Sequence, residues 1–176
     1  IGLPSVGLHT NGFSLARLIV GLGEDPDDDW ERLAQPLPEG DGESIGEALL
    51  APHLTYFPQV YPLVREGMIL GIAHITGGGL IDNVPRMLPE GISARLDQST
   101  WTVNPLFRYL VESGNVEPRE QYRTFNMGIG MVLAVRQSDV PTVMEAIPAA
   151  RVIGETVAAT SERRVTIEQT TQGTVS

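Results

Sequence analysis

Three consecutive glycines, Gly77 to Gly79, follow an apolar run at residues 68–75 and precede a helix-like segment that Pro85 must end or bend. A run of three is costly, because each glycine loses more backbone freedom on folding than any other residue. The apolar run predicts a buried strand. A strand, a glycine loop and a helix start are typical of a phosphate site built from backbone N–H groups. The alternative is a structural turn, because the loop lacks both the P-loop lysine and the G-x-G-x-x-G spacing.

The rest of the chain mixes helical and strand patterns, which suggests a sheet with helices on its faces. Helices are predicted at 11–22 with Asn11 as cap, at 59–66, 105–114 and 138–147, and after a capping-box pattern at 44–47. Strands are predicted at 92–97 and 128–136, and at 151–157 and 163–168 as a hairpin over a turn near 159–162. Residues 169–176 are expected to be disordered.

The charge of the chain is concentrated in one segment. The formal net charge is −10, and nine of the 22 acidic residues lie at 24–43, where we expect a solvated loop with a short helical turn at 30–34. This balance argues against binding to nucleic acid or to an anionic membrane. No stretch is apolar for long enough to span a bilayer. The chain has no cysteine, which excludes disulfides and fits a cytoplasmic protein.

Two further stretches place polar residues beside glycines. "GLHTNG", residues 7–12, runs into a predicted helix start, and "YRTFNMGIG", residues 122–130, precedes the strongest predicted strand. Their structural alternatives are a capped helix and a loop of turn residues. Thr76, Asn83 and Arg86 add donors to the glycine loop, although Arg86 also fits an ordinary surface arginine.

The sequence predicts neither a metal site nor a hydrolase. No two of its histidines, His9, His53 and His74, stand at a metal-binding spacing, and none has an evident carboxylate partner. There is no thiol and no G-x-S-x-G motif. The acidic segment lacks the spacing of an EF-hand.

Taken together, the polar stretches resemble the C-terminal half of the phosphoribosylformylglycinamidine cyclo-ligases, the AIR synthetase family. The matching runs are "GLHTNGFSL" at 7–15, "AHITGGGLIDNVPRMLPEG" at 73–91 and "YRTFNMGIGMVLAV" at 122–135. Residues 46–52 and 101–107 agree as well. The resemblance extends in order from residue 1 to about residue 168.

The resemblance implies a fold and a reaction. Residues 1–168 are expected to form an α+β, layered α/β/α domain with a mixed sheet, partly ferredoxin-like. The family uses ATP to activate the formamide oxygen of formylglycinamidine ribonucleotide, and ring closure gives aminoimidazole ribonucleotide, ADP and phosphate. It also implies a homodimer and an N-terminal domain of the same polypeptide that holds most of the ATP and Mg²⁺ site. Because this sequence lacks that domain, we expect the chain to be inactive alone.

The matched runs supply the candidate site residues. His9, His74 and Asn126 are the candidates for catalysis, the histidines as proton carriers and Asn126 as a group that orients the substrate amide. The candidates for substrate or phosphate binding are Thr10, Asn11, Gly12, Thr76, Gly77, Gly78, Gly79, Asn83, Arg86, Arg123 and Thr124. We expect the glycine loop to meet the substrate's ribose 5-phosphate, since most of the ATP site belongs to the other domain.

One departure keeps two alternatives open. Where the family usually reads P-T-R-I-Y followed soon by Lys, this chain reads "PHLTYFP", residues 52–58, without Arg or Lys, and His53 is a possible substitute. One alternative is a related enzyme of the same architecture, formylglycinamidine ribonucleotide synthase. The other is a phosphate-binding or regulatory domain that has lost catalysis. The intact glycine loop and "TFNMGIG" argue against this second alternative.

Overall fold

The computed structural model describes residues 1–160, 162–169 and 173–175. Its helices are α1 (Phe13–Val20), α2 (Pro26–Leu33), α3 (Ile45–Leu49), α4 (Phe57–Arg65), α5 (Gly79–Asn83), α6 (Pro105–Ser113), α7 (Pro118–Thr124) and α8 (Val140–Ala146). Its strands are β1 (Gly2–Pro4), β2 (Ile69–His74), β3 (Ile92–Asp97), β4 (Ile129–Val135), β5 (Gly154–Ala158), β6 (Val165–Gln169) and β7 (Gly173–Val175). Short 3₁₀ turns follow α5 and β3 and precede α8.

The described strands form two sheets. One is antiparallel, in the order β1-β4-β2. The other has the order β5-β3-β6-β7, in which β3 and β6 run parallel and the other neighbours antiparallel. The predicted α+β class is therefore confirmed, and the mixed sheet is the second of the two.

Alternating residues of β4 separate two apolar layers. Leu133 packs with β1 and with helices α4 and α8 on one face of the first sheet. Val132 faces the main core, which includes the second sheet and the buried side chains of α6 and α7. Because successive side chains of a strand point to opposite faces, one central strand serves both layers.

Two of the strand predictions are corrected by long-range pairing. β5 and β6 do not pair with each other, because β3 lies between them. The predicted hairpin turn includes residue 161, which lies outside the described residues. Within the segment expected to be disordered, Gln169 ends β6 and Gly173–Val175 forms β7, whereas residues 170–172 and 176 lie outside the described residues.

Strand β2 is not the buried strand that its apolar sequence predicts. It forms one edge of the first sheet, and of its six residues only Ala73 is buried. Leu70 and Ile72 are 57% and 42% exposed. An edge strand has a partner on one side only, so apolar composition alone does not ensure that it is covered.

The acidic segment contains more helix than predicted. α2 begins at Pro26, four residues before the expected turn, and the Asp25 carboxylate accepts a hydrogen bond from the Asp27 N–H. An N-cap aspartate, a proline at the first position and acidic residues in the first turn all stabilise a helix start. The capping box that opens α3 is confirmed, with Ser44 and Glu47 bonded reciprocally. No helix of the described part of the chain has the length and apolarity to cross a membrane.

Candidate functional site

Asn126 joins two of the three polar stretches. It is fully buried, and its amide nitrogen donates to the carbonyl oxygens of Gly7 and Leu8 at 2.8 and 3.3 Å. Its Oδ1 accepts from the Ser5 hydroxyl at 2.6 Å and from the Gly128 N–H at 3.0 Å. An asparagine amide has two N–H donors and two acceptor lone pairs, so the protein uses all of them. In this conformation Asn126 fixes the loops and has no group left to orient a substrate.

The glycine loop, residues 76–79, packs against the end of α7, and the packing explains two of its three glycines. Gly79 has a positive φ of 54°, and a Cβ there would clash with the Tyr122 carbonyl and lie 2.8 Å from the Phe125 carbonyl. Gly78 has a φ of 98°. Gly77 is exposed, and a Cβ there would have no neighbour within 4 Å. Only Gly77 therefore stands open on the side where a ligand can approach.

Asn83 braces this loop from inside the protein. It is 3% exposed, and its amide nitrogen lies within 3.2 Å of the carbonyl oxygens of Thr76 and Gly77 and 2.8 Å from that of Gly79. Its Oδ1 accepts a long bond, 3.4 Å, from the Thr76 hydroxyl. The sequence suggested Asn83 as a phosphate contact. The structure gives it the different task of fixing the loop's shape.

The "GLHTNG" stretch lies on the other side of the α7 end. The Asn11 amide donates to the Thr124 carbonyl at 3.0 Å and does not cap α1, because Gly12 occupies the N-cap position with a φ of 84°. A Cβ on Gly12 would approach the Phe125 ring to 2.6 Å. Thr10 is exposed. Asn11 and Gly12 thus hold the stretch in place, and Thr10 is its accessible polar residue.

Two of the predicted phosphate contacts are engaged with carboxylates. The Arg123 guanidinium lies 3.2 Å from the Asp82 carboxylate, and the Thr124 hydroxyl donates to Glu120 at 2.6 Å. The first contact links α7 to α5, and the second lies within α7. Arg86 is exposed and has no ion pair among the described residues.

The fold also brings together three histidines that lie far apart in the sequence. The rings of His9 and His53 have centroids 4.0 Å apart, and the Nε2 atoms of His53 and His74 are 3.2 Å apart. Tyr56 lies beside them, 6.2 Å from both His9 and His53 between centroids. Within the described ranges, no three His, Cys, Asp or Glu side chains are arranged to hold a metal ion.

These rings differ in how accessible they are. His9 is 8% exposed and has a positive φ of 58°; its Nε2 accepts a long bond from the Val6 N–H, and its buried Nδ1 has no partner. Burial, and then the neighbouring His53 and His74, lowers the pKa of His9 to about 4. His74 is exposed, and partial burial and His53 lower its pKa also. Both imidazoles are therefore neutral at pH 7, and His74 is the accessible one.

An apolar groove of about 520 Å³ continues from this cluster between α4 and β2. We call it the histidine groove; its wall includes His53, Tyr56, His74, Phe57, Val60, Tyr61, Val64, Ile72 and Met131. The rings of Phe57 and Tyr61 stack with centroids 4.8 Å apart. The Tyr56 hydroxyl donates to the Pro4 carbonyl at 2.8 Å, and burial raises the pKa of this phenol. The volume lies within the usual range of small-molecule sites.

Sequence reasoning noted His53 only as a possible replacement for a missing cation and did not single out Tyr56 or Gly130. A Cβ on Gly130 would clash with the Tyr56 hydroxyl and lie 2.9 Å from His9 Cε1. Gly130 therefore makes room for the cluster. The "PHLTY" segment was already visible as a departure from the family pattern, and this was the one signal that pointed to the groove.

Comparisons with known proteins identify the family of the chain. Residues 1–167 match the family model described as AIR synthase related protein, C-terminal domain. The chain is 48% identical over 143 residues to the phosphoribosylformylglycinamidine cyclo-ligase of Ligilactobacillus salivarius, covering 81% of this chain and 40% of that protein. It is 42% identical over 147 residues to the bifunctional purine biosynthetic protein ADE5,7 of Saccharomyces cerevisiae, covering 84% of this chain and 18% of that protein.

A solved structure agrees in fold. The crystal structure of Escherichia coli HypE superimposes with a TM-score of 0.57 at 18% identity, over 99% of this chain and 48% of that one. The chain spans about 40% of the length of the L. salivarius cyclo-ligase. The family match along nearly its whole length establishes that the chain belongs to the AIR synthase related C-terminal domain family.

Proposed function

We propose that the chain is the C-terminal domain of a phosphoribosylformylglycinamidine cyclo-ligase. The proposed enzyme closes the imidazole ring of formylglycinamidine ribonucleotide in purine biosynthesis, and consumes ATP to form aminoimidazole ribonucleotide, ADP and phosphate. The observation that carries the proposal is the convergence of the three family-like stretches on residues 122–126, with Gly77 left open. Identities of 42% and 48% to proteins with cyclo-ligase or purine biosynthetic names support it.

Gly77 is our first candidate for contact with the substrate's ribose 5-phosphate. It is exposed, no neighbour requires a glycine there, and Asn83 holds the carbonyl oxygens on both sides of it. The Gly79 N–H donates to the Thr76 carbonyl, so the N–H groups of Gly77 and Gly78 are the loop donors proposed for the anion. Thr10, Thr76 and Arg86 complete the set of candidate binding residues. The remaining candidates from the sequence support the loops that hold Gly77 in place. They are Asn11, Gly12, Gly78, Gly79, Asn83, Arg123, Thr124 and Asn126.

His74 is our candidate for proton transfer during ring closure. In the proposed step the attacking nitrogen loses its proton to an imidazole as the new C–N bond forms. The activated C–O bond then breaks, and phosphate leaves with its electron pair. His74 is exposed at the end of the histidine groove and neutral at pH 7, whereas both ring nitrogens of His9 are enclosed. His9 then contributes by packing against His53.

We assign the remaining requirements of the reaction to the rest of the polypeptide. The family resemblance implies that Mg²⁺ and the ATP triphosphate bind mainly to an N-terminal domain. A homodimer and a cytoplasmic location belong to the same proposal. Phosphoryl transfer depends on positioning and charge stabilisation, which a cleft between two domains supplies.

The test uses the full-length gene product. It is incubated with formylglycinamidine ribonucleotide, ATP and Mg²⁺, and aminoimidazole ribonucleotide and ADP are quantified by chromatography. Equal amounts of both products support the proposal. Turnover of formylglycinamide ribonucleotide with ATP and a nitrogen donor would identify the related synthase instead. Binding of the ribonucleotide without turnover of either substrate would identify a non-catalytic domain.

A substitution tests the proposed role of His74 in the same protein. His74→Asn should lower kcat by roughly 10²-fold, the usual range for loss of an acid–base group. His9→Asn is the comparator, because asparagine tolerates the left-handed backbone that His9 adopts. Wild-type turnover in the His74→Asn variant would contradict the role of His74 as proton carrier.

A further inference from the structure

His53 lies between the other two imidazoles and touches both. Its ring lies over that of His9, and its Nε2 is 3.2 Å from Nε2 of His74. Its Nδ1 is 2.7 Å from the carbonyl oxygen of Leu54. The ring of His53 is thus fixed at both nitrogens.

The partners of His53 determine where its proton lies. A carbonyl oxygen can only accept, so Nδ1 of His53 must carry a hydrogen to donate to Leu54. In the neutral ring Nε2 is then a bare acceptor, and the short contact requires His74 to donate its own Nε2–H. That leaves Nδ1 as the basic nitrogen of His74.

We propose that His53 is a positioning residue: it accepts the Nε2–H of His74, fixes the orientation of that ring, and so makes Nδ1 of His74 the proton acceptor. The link to turnover rests on the proposed function, whereas the hydrogen bond itself does not. A hydrogen-bonded second nitrogen is the usual means by which proteins fix the tautomer and orientation of a working histidine.

The surroundings of His74 favour its neutral form. The titratable groups around His74 are His53, in direct contact, Tyr56, with its centroid 6.4 Å away, and His9 behind His53. The Tyr56 phenol remains protonated, and no carboxylate hydrogen-bonds to any of the three imidazoles in the described part of the chain. A proton added to His74 is partly buried and meets the imidazole of His53 and no anion, so the pKa of His74 is lowered and the ring stays available as a base near neutral pH.

Two variants of His53 separate this role from simple packing. The side-chain oxygen of His53→Gln can stand where Nε2 stood and accept from His74, whereas the shorter side chain of His53→Asn does not reach it. Nitrogen-15 NMR of the imidazoles in the 176-residue chain reports the proton positions and does not require an activity measurement. We expect wild-type His53 to carry its proton on Nδ1, the minor form of a free imidazole in water. We also expect a slowly exchanging Nε2–H on His74.

The slowly exchanging proton should be absent in His53→Asn and present again in His53→Gln. In the full-length enzyme, kcat of His53→Asn should fall by about tenfold, less than the loss expected for removing the acid–base group itself, and the acid limb of its pH profile should move upward. His53→Gln should restore kcat, whereas the acid limb should be shifted in both variants, because both remove the neighbouring imidazole that lowers the pKa of His74. A His74 Nε2–H signal unchanged in His53→Asn would overturn the proposal, as would equal kcat values in the two variants. If the NMR result holds and the wild-type enzyme lacks cyclo-ligase activity, only the proposed function fails.

Discussion

On the two sides of His74 the protein uses its polar groups differently. In the glycine loop, Asn83 and the α7 end hold the backbone from within, and Asn126 repeats the arrangement for the 5–8 segment. In the histidine groove, His53 and His74 are exposed, and Phe57 and Ile72 remain 66% and 42% exposed. The bonds on the loop side engage most of its polar side chains and leave Gly77, Thr10 and Arg86 exposed to a ligand. In the histidine groove, by contrast, both polar and apolar side chains remain exposed to solvent.

The largest effect should come from the loop side, at Gly79. Gly79→Ala places a Cβ against the carbonyl oxygens of Tyr122 and Phe125 and requires a left-handed backbone. Strain of both kinds should lower the free energy of unfolding by about 3 kcal/mol or more. Urea denaturation of the chain at pH 7.5 measures the loss.

Gly77→Ala is the matched control, two residues away in the same loop. Its Cβ enters open space, so the free energy of unfolding should change by less than about 0.5 kcal/mol. In the full-length enzyme it should instead raise the KM for the ribonucleotide. If the two variants were equally unstable, the distinction between packed and open glycines would be wrong.

The next effect should appear at Asn126. Asn126→Ala removes partners from the carbonyls of Gly7 and Leu8 and from the Ser5 hydroxyl, all in a buried site. Each buried group left unsatisfied costs about 1–3 kcal/mol, and relaxation recovers part of the sum, so we expect a loss of about 2–3 kcal/mol in the free energy of unfolding. Asn11→Ala, which removes one bond to Thr124, should cost less. An Asn126 variant as stable as the wild type would show that the loops do not depend on it.

The smallest effect belongs to the groove side and appears only in acid. The pKa of His9 is lowered from 6.5 to about 4 on folding, so between these values the unfolded chain binds more protons than the folded one. The contribution of His9 to the free energy of unfolding should therefore be constant above pH 6.5 and fall as the pH decreases towards 4, by about 2 kcal/mol at pH 4.5. Urea denaturation at a series of pH values measures the decline.

His9→Asn should flatten most of this decline, since asparagine does not titrate and keeps the left-handed backbone. The pKa of His74 shifts in the same direction, so part of the decline should remain in the variant. A decline as steep in His9→Asn as in the wild type would mean that burial of His9 does not oppose its protonation.

Local sequence patterns correctly predicted those helices and strands whose formation depends mainly on residues close together in the sequence. The strand at 92–97 and the Ser44–Glu47 capping box are where the sequence indicates. α7 was missed, because "PREQYRT" is polar nearly all round and has no apolar period to reveal it. The pairing of β3 with both β5 and β6 joins residues far apart in the chain, which periodicity does not report.

The candidate site was likewise predictable from the sequence only in part. The stretches that match the family located the loops. Residue type alone could not separate the residues that face a ligand from those that hold the loops in shape. Asn83 and Asn126 have the polar side chains of a binding site, but these side chains form hydrogen bonds to backbone groups inside the protein. His53 meets His9 and His74 only after three separate segments of the chain, one of them strand β2, have folded together, so no spacing rule could find it.

The order in which the strands pair has a consequence during synthesis. Leu3 of β1 pairs with Met131 of β4, and Ala94 of β3 pairs in parallel with Val165 of β6. Neither sheet can therefore be completed while the ribosome is still adding the middle of the chain. Contacts of such high sequence separation form slowly, and until they form the apolar faces of β1 and β3 lack their partners. A nascent chain that has emerged only to its middle therefore exposes strand edges that are paired in the folded domain.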